Sequence, residues 1–479
     1  MLYGHILKYR MISIVAIHTF RNLLRDGRVL AGACLLLVLG LVALFSAGAR
    51  YQTLSAERSL AQAEVAHQWA EQGEKNPHSA AHYGQYAFRP ALALEFFDPG
   101  VSNFEGVSIW LEAHKQNFAL GRPADDMTAL ARFGELSLAF IFQALVPLAL
   151  ILLAYPAIAA ERESGTLRQV LASGVSANKF FMGKLLGLSG AAVCLLLPLL
   201  FMCFAVLLWG AGLNVLPAAL GLLGLYMWFG LIILVLSLLI SARASSPQVA
   251  LLVLLGIWAM TTFVIPRVAA DFARVVAMTP SAHDFYNGVE NDLATGLEGD
   301  APAVQIEKRR VSLLKLYKVN SEVDFPINFQ GIIFGLQDEL SHAVYDKHLG
   351  FIQKAIDKQL DLFEGVSILA PRMAVMLISQ ELSGTSIAHQ RYFTQDAERF
   401  RRQLMEVLNK DITLHSRAGQ SNYRAGVDLW QRAGAYEFKP EPLSAALSRC
   451  GAPFMVLLLW SFSLCIAGWA ICRHLKVLA

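Results

Sequence analysis

Residues 136–171 read LSLAFIFQALVPLALILLAYPAIAAERESGTLRQVL. The first part, Leu136–Ala160, carries no charge and is longer than the roughly 20 apolar residues a helix needs to cross a bilayer. Glu161, Arg162 and Glu163 follow at once, and Gly165 comes two residues later. An uncharged run that ends in a knot of charges reads as a helix leaving a membrane into a turn. Pro147 and Pro156 lie inside the run and predict kinks, because each removes a backbone donor.

The same pattern recurs along the chain. Val29–Ala49, Leu185–Gly210, Leu216–Ser241, Gln248–Pro266 and Cys450–Cys472 are the other candidate spans, with Pro198 inside the third of the six. In lipid each must be helical, since unpaired backbone groups find no water there. Only 16% of the 479 residues are charged and the mean hydropathy is +0.46, whereas soluble chains carry about 25% charge. The expected fold is therefore mainly α: a polytopic membrane protein with six transmembrane helices and two water-facing domains, helical or α+β. These domains occupy 50–134, after the first span (29–49), and 267–449, after the fifth (248–266). The remaining spans are 136–160, 185–210, 216–241 and 450–472, and the tail is 473–479. The first span ends in Ser46-Ala47-Gly48-Ala49, but its apolar core is long and 28 residues precede it, so it is expected to be retained rather than cleaved.

Orientation follows from Lys and Arg in the short loops. Segments 1–28, 161–184, 242–247 and 473–479 hold twelve of them: Lys8, Arg10, Arg21, Arg25, Arg28, Arg162, Arg168, Lys179, Lys184, Arg243, Arg473 and Lys476. Only Asp26, Glu161 and Glu163 oppose them, an excess of nine, so a net charge of +3 leaves −6 for the rest of the chain. Both termini are therefore expected in the cytoplasm, with the two domains on the far side of the membrane. The net charge is too small to suggest nucleic acid. All six cysteines lie in or beside apolar segments, so the outer domains have no disulfide staples.

Residues 1–28 form a basic amphipathic segment. Leu7, Met11, Ile14, Val15 and His18 approach one helical face, which suits a helix along the inner membrane surface. In the first outer domain Leu54–Trp69 is expected to continue the first span, and Gly73–His78 reads as a turn. Phe88, Phe96, Phe97, Phe104, Ile109 and Trp110 are its core candidates. In the second, 386–412 reads as an amphipathic helix through Phe393, Ala397, Phe400, Leu404 and Val407, with Asp411 the one polar step. Val344, Phe351, Ala355, Ile356 and Leu360 suggest another helix. Ile368–Ile378 is apolar but short and contains Pro371 and Arg372, so it reads as a buried or membrane-surface helix. Phe104–Ile109 and Phe363–Ile368 share six residues, by chance or as a shared local turn.

Beyond Gly165, Thr166 and Gln169 have capping-box spacing, Gly174 can end the new helix, and Ser176 can cap the next. The product is a short helix held off the inner face between spans two and three. It suits docking into a groove on a cytoplasmic partner; an ordinary capped loop helix fits the spacing equally.

The run Glu161-Arg162-Glu163-Ser164-Gly165-Thr166-Leu167, with Leu171–Ser176 and Gly183-Lys184, resembles the coupling-helix signature of ABC-2-type permeases. Arg25-Asp26-Gly27-Arg28 resembles the basic elbow of that family. The resemblance covers the membrane core, roughly half of the chain. It implies a permease subunit coupled to a cytoplasmic ABC ATPase dimer, with ATP-Mg held in that partner and a second permease copy or homologue alongside. The coupling residues it implies are Glu161, Glu163, Gly165, Thr166, Leu167, Arg168, Gln169 and Leu171. The two large outer domains depart from the commonest members. They are similar to a bacterial subfamily in the stretches Asn76–Gly84, Trp110–Asn117 and Gly384–His389, and a periplasmic partner is compatible with them.

No Gly-x-x-x-x-Gly-Lys-Ser/Thr loop, HExxH or GxSxG occurs, so the chain is not read as an enzyme and no cofactor is assigned to it. The span centres hold no charged residue, which favours energy supplied from outside the lipid. His78 and His82, at i and i+4, could share a metal, with His67 and His114 in the same domain. Pro77 and the small residues around them fit a capped turn packed on Tyr83 and Tyr86, and no metal is assigned. Glycines 210, 212, 221, 224 and 230 suggest close helix packing, within the subunit or between two copies. Export, or extraction from the outer leaflet, is the expected function. The rival is a mechanotransmitter that uses cytoplasmic ATP to drive a periplasmic partner.

Overall fold

A computed structural model describes residues 2–127, 136–210, 213–297, 301–420 and 422–474. Lys476 with most of the expected tail, residues 128–134 of the first outer segment, and the side chains of 2–10, Leu7, Lys8 and Arg10 among them, lie outside the described residues.

Among the described residues six helices are long and apolar enough to cross a membrane: Arg28–Ala70, Leu138–Glu163, Ala177–Val206, Leu216–Arg243, Pro247–Val276 and Gly451–Arg473. The first runs 43 residues without a break. At 1.5 Å per residue that is about 65 Å, roughly twice the hydrocarbon thickness, so it leaves the bilayer as one rod. Its far end is anchored: Trp69 is buried edge-on against Trp430, with ring centroids 5.7 Å apart.

The second span is interrupted twice. A π-helical turn, Ile141–Leu145, precedes Pro147, and the helix opens into a turn at residues 155–158, around Pro156. The third, by contrast, stays one helix through Pro198. The fifth carries a second π-helical turn, Met260–Val264.

The N-terminal helix Leu2–Arg25 packs alongside the third span. Ile12 and Val15 meet Gly183, Ala16 and Thr19 meet Gly187, and Phe20 meets Gly190. A Cβ on Gly187 would sit 2.6 Å from the Ala16 carbonyl oxygen and 2.7 Å from Thr19 Cβ. The buried face is thus Thr19 and Leu23 with Val15, while Ile14 and His18 are exposed. The face expected from sequence is rotated, because a protein surface, not a membrane alone, selects it. Of the span glycines flagged in sequence, a Cβ on Gly221 would meet Leu382 and one on Gly230 would meet Leu150, both within the subunit, whereas one on Gly224 would meet nothing within 4 Å among the described residues; Gly212 and the surroundings of Gly210 lie outside the described residues.

The two outer segments share one body. Antiparallel strands β1 (Gln85–Phe88), β2 (Ser108–Glu112) and β3 (Lys115–Gln116) form a small sheet in the order β1-β2-β3. Its inward Ala87, Ile109 and Leu111 pack on Phe393 and Ala397 of the helix Ile387–His415. Trp69, Ala80 and Ala81 share a second core with Leu404, Leu408 and Trp430. Asp411, the polar step of that helix, is buried and satisfied by Tyr423 (2.6 Å), Arg432 (3.0 Å) and His415 (3.0 Å). Phe104 and Trp110, expected in the core, are exposed, as are Tyr83 and Phe351. In β2 only alternate residues face in, and Trp110 falls on the outer face. The six-residue repeat has no common structure: Phe104–Val107 is irregular, whereas Phe363–Val366 ends the long helix Phe329–Val366.

The short apolar segment becomes the helix Pro371–Ser383, inserted among the outer ends of the spans. Ala374, Val375, Ile378 and Leu382 join the same core as the spans. Phe97, from the first outer segment, enters beside it and stacks with Phe142 and Tyr226, each about 6.0 Å away. The head is therefore plugged into the bundle rather than tethered to it.

Gly187→Leu should drive the N-terminal helix off the third span while the six spans still insert. Limited trypsin digestion in detergent should then cleave at Arg21 or Arg25 at least tenfold faster than in the parent. An unchanged rate would mean the glycine contact does not hold this helix.

Candidate functional site

The segment after the second span forms the short helix Thr166–Ala172 between two left-handed glycines, Gly165 (φ +78°) and Gly174 (φ +90°). These positions favour glycine because a Cβ disfavours that backbone region. Gly165 is itself the N-cap, so Thr166 starts the helix one position later than a capping box needs. Thr166 Oγ1 instead donates to the Glu161 carbonyl (3.2 Å) and hydrogen-bonds Ser164 Oγ (2.9 Å). The expected Thr166–Gln169 box does not form. Ser176 stands ahead of the third span, and its carbonyl accepts from the Phe180 amide (3.0 Å).

The eight residues singled out in sequence divide by direction. Glu163, Thr166, Arg168 and Gln169 are exposed. Leu167 is 3% exposed and packs into the span core with Val175, Phe180 and Phe181, and Leu171 rests against the same core. Glu161 is half-buried and pairs with Lys184 of the third span, whose side chain is 8% exposed. The helix thus presents a polar face outward and fixes its apolar face to the bundle.

Three residues outside that set make the attachment. In the turn around Pro156, the Ser241 hydroxyl accepts from the amides of Ile158 and Ala159 (3.0 Å each) and donates to the Tyr155 carbonyl (2.7 Å). One donor and two acceptor sites are all a hydroxyl has, so Ser241 is fully used. Arg162 donates to the carbonyls of Ala242 and Ala244 at the end of the fourth span, a side-chain cap on orphaned carbonyls. Lys184 ties the loop to the third span. Sequence offered only a weak signal for these: a serine, an arginine and a lysine, each at a span end, with a proline shortly before the arginine.

At the opposite end of the bundle lies a buried polar group. Asp98, from the first outer segment, accepts from Ser379 of the inserted helix and from the Gly100 amide (3.0 Å). Ser379 also hydrogen-bonds Tyr226 of the fourth span (2.6 Å). Burial pushes the Asp98 carboxyl up, against the hydrogen bonds from Ser379 and Gly100 and the charge of Arg372. Arg372 donates to the Thr262 carbonyl (2.9 Å), within the π turn of the fifth span. The spans bring no charge to their own centres, but the head brings Asp98 and Arg372 to their outer ends. Farther along the inserted helix Glu381 borders two cavities of about 340 and 470 Å³, the first also lined by Asp357, Arg391 and Arg449, the second by Arg89, His389 and Tyr392.

His78 and His82 occupy the helix Pro77–Tyr83 in the head, where Asn76 caps the helix by accepting from the His78 amide (2.9 Å). His114, in the β2–β3 turn, joins them. Burial, with the neighbouring His82 and His114, pushes His78 down to about 4, so it is neutral at pH 7.

The profile of a family described as ABC-2 family transporter protein matches residues 13–400. No curated protein matches the chain.

Ser241→Ala strands two amides and a carbonyl in the broken turn. An unsatisfied buried group costs about 1–3 kcal/mol, so the variant should lose at least that much unfolding free energy in detergent. Equal stability of parent and variant would show that water or another group serves the turn.

Proposed function

The chain belongs to the ABC-2 family of transporter proteins, and from that premise we propose that a separate cytoplasmic ATPase drives it through the helix Thr166–Ala172. The observation that carries the reading is the division of that helix into a polar outward face and a base fastened to three spans. Leu167 and Leu171 seat it, Arg162 and Ser241 bind it to the fourth span, and Lys184 binds it to the third. A push on Glu163, Arg168 and Gln169 would move the inner ends of spans two, three and four together.

In this reading the basic loops face the cytoplasm of a bacterial inner membrane, and the head stands in the periplasm. Two permease chains, identical or homologous, pair over an ATPase dimer that holds the ATP-Mg. The substrate leaves or is extracted outward. The cavities beside Glu381 open where head and spans meet, so a substrate would pass from lipid toward the head there. Their mixed lining of leucines, aromatic rings and paired charges suits an amphipathic molecule.

One observation favours a second reading. The first span and its continuation are a single 43-residue rod that ends in the head core. Ser379 of the inserted helix bonds the fourth span, and in the turn just ahead of that helix the Ile368 carbonyl accepts from the Trp460 indole of the sixth (2.9 Å). Such a body could transmit ATP-driven motion to a periplasmic partner without passing a substrate. In proteoliposomes with the ATPase, transport predicts ATP-dependent redistribution of an amphipathic probe. ATP turnover and head movement with no redistribution would favour mechanotransmission.

Arg168→Glu and Glu163→Lys should each reduce permease-dependent ATPase stimulation at least tenfold while insertion and thermal stability stay at parental values. Leu167→Ala should instead destabilise the fold, by about 2–5 kcal/mol for a buried leucine. Full stimulation in both charge variants would remove the docking assignment.

A further inference from the structure

His78, His82 and His114 come from two places in the first outer segment, and their ligand atoms all lie within 4.8 Å of one another. His78 Nε2 and His82 Nε2 are 3.1 Å apart. Around a tetrahedral zinc with Zn–N bonds of 2.0–2.1 Å, donor atoms stand roughly 3.3 Å apart. The helical pair therefore already has the spacing of two ligands, and His114, with its ring centroid 5.4 Å from each of theirs, needs only a small rotation to complete three.

Two of the rings are held by groups that are not themselves ligands. His78 lies flat on Phe334 of the long helix Phe329–Val366, with centroids 3.6 Å apart and planes 2° from parallel. His114 Nδ1 is 2.8 Å from Asp338 Oδ1, close in distance though not aligned as an ideal hydrogen bond. Asp338 is 4% exposed, and its other oxygen accepts from Asn409 (2.7 Å). The backbone of His114 is fixed as well. Its carbonyl accepts from Ser341 (2.7 Å), and its φ is +58°, a left-handed conformation that a residue with a Cβ adopts only when its surroundings impose it. A buried carboxylate behind a histidine is how metal sites set the tautomer and turn the far nitrogen toward the ion. A direct hydrogen bond accounts for the His78–His82 approach. It does not account for the third ring or for the carboxylate behind it.

We propose that His78, His82 and His114 bind one divalent transition-metal ion of the imidazole-preferring class, with Asp338 as a positioning residue behind His114. Three neutral nitrogens suit Zn²⁺, and Cu²⁺ or Ni²⁺ less selectively; they do not suit Mg²⁺ or Ca²⁺, which take oxygen ligands. His82 is exposed, so the ion's fourth position faces solvent and is free for water or for an anionic or nitrogen-bearing ligand. The ion would also bind the first outer segment more firmly to Asp338 and Phe334 of the second.

The test uses the full chain in detergent, untagged and stripped with a chelator, titrated with Zn²⁺ against a chromophoric competitor. One ion per chain is expected, with a rise in the melting temperature and no competition from Mg²⁺. His82→Ala, at an exposed position that should not disturb folding, should weaken binding at least 100-fold. Asp338→Asn should keep one ion per chain and weaken binding about 10–100-fold, the usual effect of losing such a partner. His283→Ala, at a separate exposed histidine, should change nothing. Equal affinity in the parent and in His82→Ala, or an equal loss in His82→Ala and His283→Ala, would overturn the site. The result is independent of the ATPase assignment, since it reads ion binding in the permease alone.

Discussion

The Ser241 hydroxyl holds the helix bundle together at the end that carries the short helix Thr166–Ala172. Pro156 has no amide to donate, and the second span opens there into a turn with backbone groups that the membrane boundary serves poorly. Ser241 takes two of those amides and gives its proton to a carbonyl. The break is thereby turned into a joint with the fourth span. Without such a joint the polar loop that follows would hang from a frayed helix. With it, Arg162, Glu161 and Lys184 are aimed at neighbouring helices, and the short helix Thr166–Ala172 becomes an extension of the bundle.

A related economy governs the outer end. The head does not stand beyond the spans but inserts Phe97, Asp98 and the helix Pro371–Ser383 between them. A buried carboxyl and a nearby arginine in such a place cost desolvation. Here the hydrogen bonds from Ser379 and the Gly100 amide offset part of that cost.

The spans were legible because 20-residue apolar runs have no other stable fate in lipid, and Val29–Ala49 through Cys450–Cys472 all proved to be helices. The rod beyond the first span and the helix from Ile387 were legible from periodicity. Other features were not. Thr166 and Gln169 had the right spacing for a cap, but the left-handed Gly165 had already taken the role. Ile368–Ile378 was too short to be read as a span, and only tertiary packing reveals it between spans. Phe104 and Trp110 were assigned to the core by residue type, while the strand's alternation put Trp110 outside. His114 lies 32 residues beyond His82 in sequence, and a hairpin turn alone carries it back to the pair. Eight residues around the short helix were singled out by their resemblance to a known signature; that Glu161, Leu167 and Leu171 among them face inward required the positions of spans three and four.

The central claim is that Thr166–Ala172 moves as one piece with the inner ends of spans two to four. It is tested most directly by spin-label distances between Ser173 and Ser245, both exposed, in the assembled complex with and without trapped nucleotide. The account predicts one narrow distance that is the same in both states, while the distance from Ser173 to Tyr83 in the head changes. A Ser173–Ser245 distance that shifts by several ångströms on nucleotide trapping would contradict it.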